Sequence, residues 1–554
     1  MVAFGILIFQ TLVVASLSSA SPLPLQIPHI NPQDILCKLP IVNKFLCPRT
    51  GTLGLNIPTP LGTASGTTDP SGAYRYVVKY AHANRWQDST LVTSWNLPTG
   101  TPNATSLPPA CPQSGVDPSV YNEDCLSMVV YVPPGLTVTS NVPTMVWFHG
   151  GSFVVGSATG PGMDGSNLAI ATQSIVITVQ YRLGALGFLV PGSNTNLAVK
   201  DSVHALQFVN RVIASFGGNP SKVTIAGQSS GASMVRTLLG VPSASTLFRS
   251  AILQSDVMDY GPLSTATYQA LLSNFKSRFS CAVTDTSCWN ALGLGTILTA
   301  QTNVYNAAMS IDPAAGNAQP IRPVLDGTLI ASPLDSTQAF PSVSKPLLIT
   351  TVKNEAALAI YSAFTSPLPD EALQPICDAT FGESRTDTIL ASTFYQPTPG
   401  ASGTIDVRAQ LQLMGTDYLW KCSAWTFARN WVQNGGSTYV GYYSLGASYP
   451  GNANVPFCTQ SGAVCHQDDI QIVFGTVASP TTDQTNLVNE MQKRYKAFLT
   501  SGNPNTAGLS TWTPATTSDL HPQNFGGSNP VDVGACQVSF WGSAVQYDYQ
   551  YYTN

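Results

Sequence analysis

Short runs of β-branched and apolar residues recur through the middle of this chain, with helical patterns between them. Met128–Tyr131, Thr144–Phe148, Ile175–Tyr181, Val223–Ala226, Ala251–Gln254 and Leu347–Val352 each have the length of one strand and little charge. Between two of them, Val199, Val203, Leu206, Val209, Val212 and Ile213 fall at helical spacing within Val199–Phe216. Strands that are apolar on both faces and separated by helices describe a mostly parallel sheet with helices packed on each side. The alternation continues through a helical stretch at Arg408–Gln433, a strand at Tyr439–Tyr443 and a last helix at Leu487–Leu499. No internal repeat or break in composition marks a second domain, so residues 21–554 read as a single α/β domain. Its first stretch, 21–70, is rich in Pro, Gly and Thr and reads as an irregular arm.

Composition removes several classes of function. The 554 residues carry 24 Lys and Arg against 29 Asp and Glu, for a net charge of −5, so a basic nucleic-acid footprint is not expected. Hydrophobic residues make up 44% and charged ones only 10%, which excludes a disordered chain. After the first twenty positions no apolar run is long enough to span a membrane. Within Met1–Ala20 the apolar stretch Val2–Leu17 is too short for a stable span, and Ser18, Ser19 and Ala20 are small. Pro22, Pro24 and Pro28 follow at once and would stop a helix, so residues 1–20 read as a secretory signal and the mature chain as extracellular.

The 11 cysteines agree with an oxidising compartment, and their odd number leaves at least one thiol without an internal partner. Cys37 and Cys47, Cys111 and Cys125, Cys281 and Cys288, and Cys458 and Cys465 lie close in sequence. There is no CxxC pair, so no zinc site is expected. Asn103-Ala104-Thr105, in a Pro- and Thr-rich stretch, is the glycosylation sequon.

Chemistry concentrates at three strand ends. Val223–Ala226 runs into Gly227-Gln228-Ser229-Ser230-Gly231, a G-x-S-x-G turn followed by a helical pattern. A serine on such a turn is presented on a strained backbone, with the N–H groups and positive end of the next helix aimed at it. A plain glycine-rich turn whose serine only caps a helix is the bland alternative. Upstream, Thr144–Phe148 ends in His149-Gly150-Gly151-Ser152-Phe153, where adjacent glycines let backbone N–H groups converge on an oxyanion. His149 reads as structural, bonded to its own loop.

On an elbow of this kind the triad order is Ser, acid, His, which leaves His466 or His521 as base. His466 precedes an apolar stretch, and a Cys458–Cys465 bridge would anchor its loop, whereas His521 sits in a polar Asp-Leu-His-Pro turn. Glu355 lies just past the apolar run Leu347–Val352, where catalytic groups of open α/β sheets gather. Its alternative is an ordinary acid at a helix N-terminus.

These motifs together resemble the type-B carboxylesterase/lipase family, α/β-hydrolases that include cholinesterases and fungal lipases. Further matching blocks are Asn122-Glu123-Asp124-Cys125-Leu126, Tyr181–Phe188, Phe216-Gly217-Gly218-Asn219-Pro220 and Pro323-Val324-Leu325-Asp326-Gly327. The stretch from His466 to Gly475 also aligns without gaps, so the resemblance runs from about residue 80 to 475. It implies an α/β-hydrolase fold and a serine ester hydrolase with Ser229 as nucleophile, His466 as base and Glu355 as orienting acid. It assigns the oxyanion hole to the N–H groups of Gly151, Ser152 and Ser230, and implies Cys111–Cys125 and Cys281–Cys288 bridges. No metal or cofactor is implied. The implied partner is a small-molecule ester, and oligomeric state is left open.

Four positions depart from the family pattern. Gln228 replaces a glutamate beside the nucleophile, Ser152 a glycine, Ser230 an alanine, and Ala356 the glycine after the acid. None removes a chemical role. In fungal lipases of the family the loop matching Cys111–Cys125 is long and carries an amphipathic flap. Here residues 112–124 contain two prolines and few apolar side chains, so no interface-sensing lid is expected. The expected substrates are soluble short-acyl, aryl or hydroxycinnamoyl (feruloyl-type) esters, with an interfacial lipase or sterol esterase as the alternative. A non-catalytic adhesion module of the cholinesterase-like kind would lack the nucleophile that is present here.

Overall fold

The structure is a computed structural model that describes residues 51–541, apart from residue 259, 336–339, 341–342, 398 and 400–402. The signal expected at 1–20, and Cys37 and Cys47, lie outside the described residues.

Eleven strands form one sheet. In chain order they are β1 (Asn56–Thr59), β2 (Gly62–Thr68), β3 (Tyr74–Lys79), β4 (Ser127–Val132), β5 (Val142–Phe148) and β6 (Ile175–Val179), followed by β7 (Gly218–Gln228), β8 (Ser250–Gln254), β9 (Pro346–Val352), β10 (Ser437–Tyr443) and β11 (Gln523–Phe525). Their order across the sheet is β1-β2-β3-β4-β6-β5-β7-β8-β9-β10-β11. The sheet is antiparallel from β1 through β4 to β6. From β6 to β11 every pairing is parallel. This is the doubly covered α/β-hydrolase sheet, with β5 and β7 neighbours, so the two glycine turns that follow them emerge side by side.

The unbroken apolar runs are explained by burial on both faces. Along β5, Val146 and Phe148 join one core cluster while Met145 and Trp147 join the other. Strand period two assigns alternate residues to opposite faces, and here neither face meets water. The helix Leu197–Val212, continued by a 3₁₀ turn at Ile213–Phe216, packs its apolar face into the first cluster.

Two expectations need correction. The arm was expected to be irregular through residue 70, yet 56–68 form the β1–β2 hairpin, with Ile57 opposite Ala64. Edge pairing to β3 supplies the backbone partners that composition does not reveal. The helical stretch Arg408–Gln433 is three pieces: α-helix Arg408–Gly415, a π-helical segment Thr416–Lys421, and α-helix Cys422–Gln433.

Disulfides join Cys111 to Cys125, Cys281 to Cys288, Cys422 to Cys536 and Cys458 to Cys465. Among the described residues Cys377 is the free thiol, and it is buried. No helix among the described residues is long and apolar enough to cross a membrane.

Candidate active site

β7 ends at Gln228, the chain turns at Ser229, and a helix runs from Ser230 to Leu239. Ser229 has φ 57° and ψ −130°, a conformation that costs a residue with a side chain roughly 1–3 kcal/mol. Surrounding bonds hold it there. The Ser229 N–H donates to the Gln254 carbonyl at 2.9 Å, and Ser233 N–H to the Ser229 carbonyl at 3.0 Å. The helix is tied to the end of β8 by Ser233 Oγ donating to Asp256 at 2.6 Å and by the buried Arg236–Asp256 ion pair at 2.7 Å. Gly231 is required for packing, since a Cβ there would lie 2.1 Å from the Phe148 carbonyl oxygen.

The turn after β5 lies against this elbow. A Cβ on Gly150 would sit 2.7 Å from the Gln228 carbonyl oxygen and 3.0 Å from Ser229 Cβ. Gly151, Ser152 and Phe153 follow with φ of 114°, 52° and 62°, and the Phe153 N–H donates to Ser230 Oγ at 3.2 Å. The N–H groups of Gly151, Ser152 and Ser230 donate to no acceptor among the described residues. His149 holds the loop's base: its Nδ1 lies 2.9 Å from the Gly150 carbonyl, and its ring stacks on Tyr181 at 4.6 Å. Burial pushes its pKa down to about 4, so the ring is neutral and its part is structural.

Glu355 is fully buried just beyond β9. One carboxylate oxygen accepts the Val352 N–H at 2.8 Å, and the other lies 2.6 Å from His466 Nδ1. The helix that follows begins only at Ala357, and no N-terminal N–H takes this carboxylate. The His466 loop is fastened at both sides. Cys465 is bonded to Cys458, Asn354 N–H donates to the Val464 carbonyl at 2.8 Å, and Asn452 Nδ2 donates to the His466 carbonyl at 2.8 Å. His521 sits apart in its polar turn, 3.3 Å from Asp519.

The second ring nitrogen has an unexpected neighbour. His466 Nε2 lies 3.2 Å from Gln228 Nε2, and no hydrogen bond joins the ring to Ser229 Oγ among the described residues. Ser229, Glu355 and His466 nevertheless line one cavity of about 790 Å³. Hydrogen bonds of catalytic groups are often formed only once substrate is in place. Away from these residues the cavity is walled by apolar side chains, among them Trp420, Leu411, Met414, Phe381 and Cys377. Trp420 also lies 5.5 Å from the His466 ring.

Two buried acids back the imidazole. Desolvation raises Asp468 to about 6, against hydrogen bonds from Tyr449, Cys465 and Asn452. Desolvation, reinforced by the nearby Glu355 charge, raises Asp469 to about 7, although Gln254 Nε2 donates to it at 2.6 Å. Among the described residues, the grouping of His, Cys, Asp and Glu compact enough for a metal is Asp417, Cys422 and Cys536. Those two sulfurs are bonded to each other, so the set does not suit a metal.

Sequence reasoning singled out every residue of the Glu355–His466 pair and both glycine turns. It missed the contact of Gln228 with the ring, the Trp420 wall, the raised acids and the Cys422–Cys536 bond. Gln228 carried a signal, being an uncharged residue at a glutamate position. The others are set by chain segments far apart in sequence.

The sequence profile of the carboxylesterase family matches residues 56–531. Carboxylesterase 1D of Mus musculus is 29% identical over 454 residues, covering 74% of this chain and 77% of its own. Liver carboxylesterase of Sus scrofa is 29% identical over 453 residues, with the same two coverages of 74% and 77%. Among solved structures, a PNB esterase superposes with a TM-score of 0.66 at 23% identity, over 84% of this chain and 94% of that one, a likeness of fold.

Proposed function

The chain belongs to the carboxylesterase family and is a serine carboxylic ester hydrolase; from that premise we propose that it works through an acyl intermediate on Ser229. The observation that carries this reading is the Glu355–His466 contact at 2.6 Å, opening onto the cavity that Ser229 also lines. With Glu355 accepting at Nδ1, the ring proton sits there and the Nε2 lone pair is the basic site, held by the Gln228 amide at 3.2 Å until the Ser229 hydroxyl takes its place. That nitrogen takes the Ser229 proton as the hydroxyl attacks the ester carbonyl. The buried carboxylate fixes the tautomer and stabilises the imidazolium that forms. The N–H groups of Gly151, Ser152 and Ser230 receive the oxyanion. His466 then protonates the departing alcohol, and water repeats the sequence on the acyl-serine.

The substrate reading is a soluble ester carrying an aryl or hydroxycinnamoyl group, with acetyl esters as smaller substrates. Cavity volume and apolar walls support a group larger than acetyl. The Cys111–Cys125 loop contains only a 3₁₀ turn, Pro118–Val120, with no buried residue, which supports an open site rather than a lid. Depth of the apolar wall also favours a second reading, a long-acyl ester taken up at an oil interface. Residues 1–20 act as a secretory signal in this account, and four disulfides accord with an extracellular enzyme. Asn103, exposed in a turn that its own side chain closes, is the proposed glycan site.

The test is direct. A fluorophosphonate should label Ser229, and Ser229→Ala should lose at least about 10⁴-fold in kcat while melting like the parent. Turnover retained by Ser229→Ala would assign the nucleophile elsewhere. A panel of acetyl, feruloyl and long-acyl esters separates the two substrate readings, since only an interfacial lipase accelerates above the solubility limit of the long-acyl ester.

A further inference from the structure

Gln228 has no assigned part in the reaction, yet it is the residue that meets the base. Its amide nitrogen lies 3.2 Å from His466 Nε2. Because Glu355 accepts from Nδ1, the facing Nε2 of a neutral ring is a lone pair, and the amide N–H donates into it. The amide's other end is notable: Gln228 Oε1 is buried with no hydrogen-bond partner. It faces the oxyanion-loop turn, where a Cβ on Gly150 would be 3.2 Å away. A buried acceptor left unpaired is costly, so this end of the amide calls for a partner.

We propose that Gln228 is the positioning residue for the base, an uncharged clamp on His466 Nε2 that can serve both protonation states of the ring. In the resting enzyme its amide N–H occupies the lone pair and holds the ring over the elbow, and it yields that place to the Ser229 hydroxyl once substrate is bound. Once the ring has taken the Ser229 proton, Nε2 carries hydrogen and needs an acceptor. A half-turn of the terminal amide then presents the otherwise orphaned Oε1, which shares that hydrogen until the departing alcohol takes it. A carboxylate at 228 could only accept, and its charge would favour the protonated ring in the resting enzyme.

The other groups around the ring leave this neutrality decisive. Glu355 faces Nδ1, the Trp420 ring lies tilted beside it at 5.5 Å, and Asp468 and Asp469 act on it through charge from the following turn. These three acids favour the imidazolium when ionised. An added carboxylate beside Nε2 would push the same way, whereas Gln228 adds none. An amide at this place therefore supplies hydrogen bonding without adding charge.

This inference rests on the acyl-serine reading, and one experiment separates the two failures. Measure kcat/KM against pH on an acetyl ester, and the rate of fluorophosphonate labelling over the same range, for the parent, Gln228→Glu and Gln228→Met. Gln228→Glu should move the acid limb up by about one pH unit in both measurements. Gln228→Met, similar in length without hydrogen bonds, should lower kcat about tenfold with KM and limb unchanged. A limb unmoved in Gln228→Glu, or a Gln228→Met kcat within about twofold of the parent, overturns the clamp. Absence of any labelling at Ser229 in the parent would instead overturn the acyl-serine reading.

Discussion

The two sides of the cavity are built by different means. On one side, Ser229, Glu355, His466 and the Gly151–Ser152 turn hang from strand ends or from loops tied to them by hydrogen bonds and a disulfide. On the other, the wall comes from helices Leu373–Phe381 and Arg408–Gly415 and the π-helical segment after them, packed around a cluster of their own. Leu373, Cys377, Phe381, Leu411 and Met414 belong to that cluster and to neither of the two that sandwich the sheet. Sub-ångström placement is needed where a proton moves, and a parallel sheet supplies it through backbone ladders. A wall that only has to match the shape of an apolar group needs no such ladder and can change without disturbing the chemistry. The π-helical segment fits this division, since such irregularities are frequent at functional sites.

Three substitutions test that contrast. Glu355→Gln attacks the strand-end side and should have the largest effect. The amide presents the wrong hydrogen-bonding pattern to Nδ1, so kcat should fall about 10³–10⁴-fold with KM little changed, read by single-turnover acylation. A loss below tenfold would mean that the carboxylate does not orient the base.

Leu411→Trp attacks the wall. Filling the apolar depth should cut kcat/KM for feruloyl or long-acyl esters about 10- to 100-fold while acetyl esters stay within about twofold. Equal losses on both classes would show that the two sides are mechanically coupled, and the contrast would fail.

The last test concerns stability and leaves turnover aside. Burial raises Asp469 from 3.8 to about 7, so between those values the folded chain holds a proton that the unfolded chain has released. Stability therefore falls as pH rises through that window, by an amount on the order of 4 kcal/mol from this group. Asp469→Asn should flatten the decline in Tm between about pH 4 and 8, followed by thermal unfolding. An undiminished decline would place the electrostatic burden elsewhere than behind the strand ends.

Much of the catalytic side was legible because its signals are local. The β7 strand, Gly227 to Gly231 and the following helix form one continuous stretch, and Glu355 sits within three residues of the strand whose N–H it accepts. The wall was not legible in that way. Arg408–Gln433 has one helical periodicity, and nothing in it announces that Thr416–Lys421 winds as a π-helix. Nor does composition distinguish 56–68, which lacks long apolar runs and is a strand pair because β3 offers it an edge. Gln228 lies between these cases: its identity stood out, but its partner lies 238 residues away.

From its order of residues alone this chain determined a covered parallel sheet, the serine elbow and the glycine turn beside it, because each is encoded in neighbours along the backbone. Only the tertiary structure decided which acid meets which ring nitrogen, that an amide rather than the serine faces His466 Nε2, that Cys422 bonds Cys536, and which helices close the cavity. Those outcomes depend on distance in space between segments far apart in sequence. Such distances are set by how the core packs, and local sequence pattern carries no record of them.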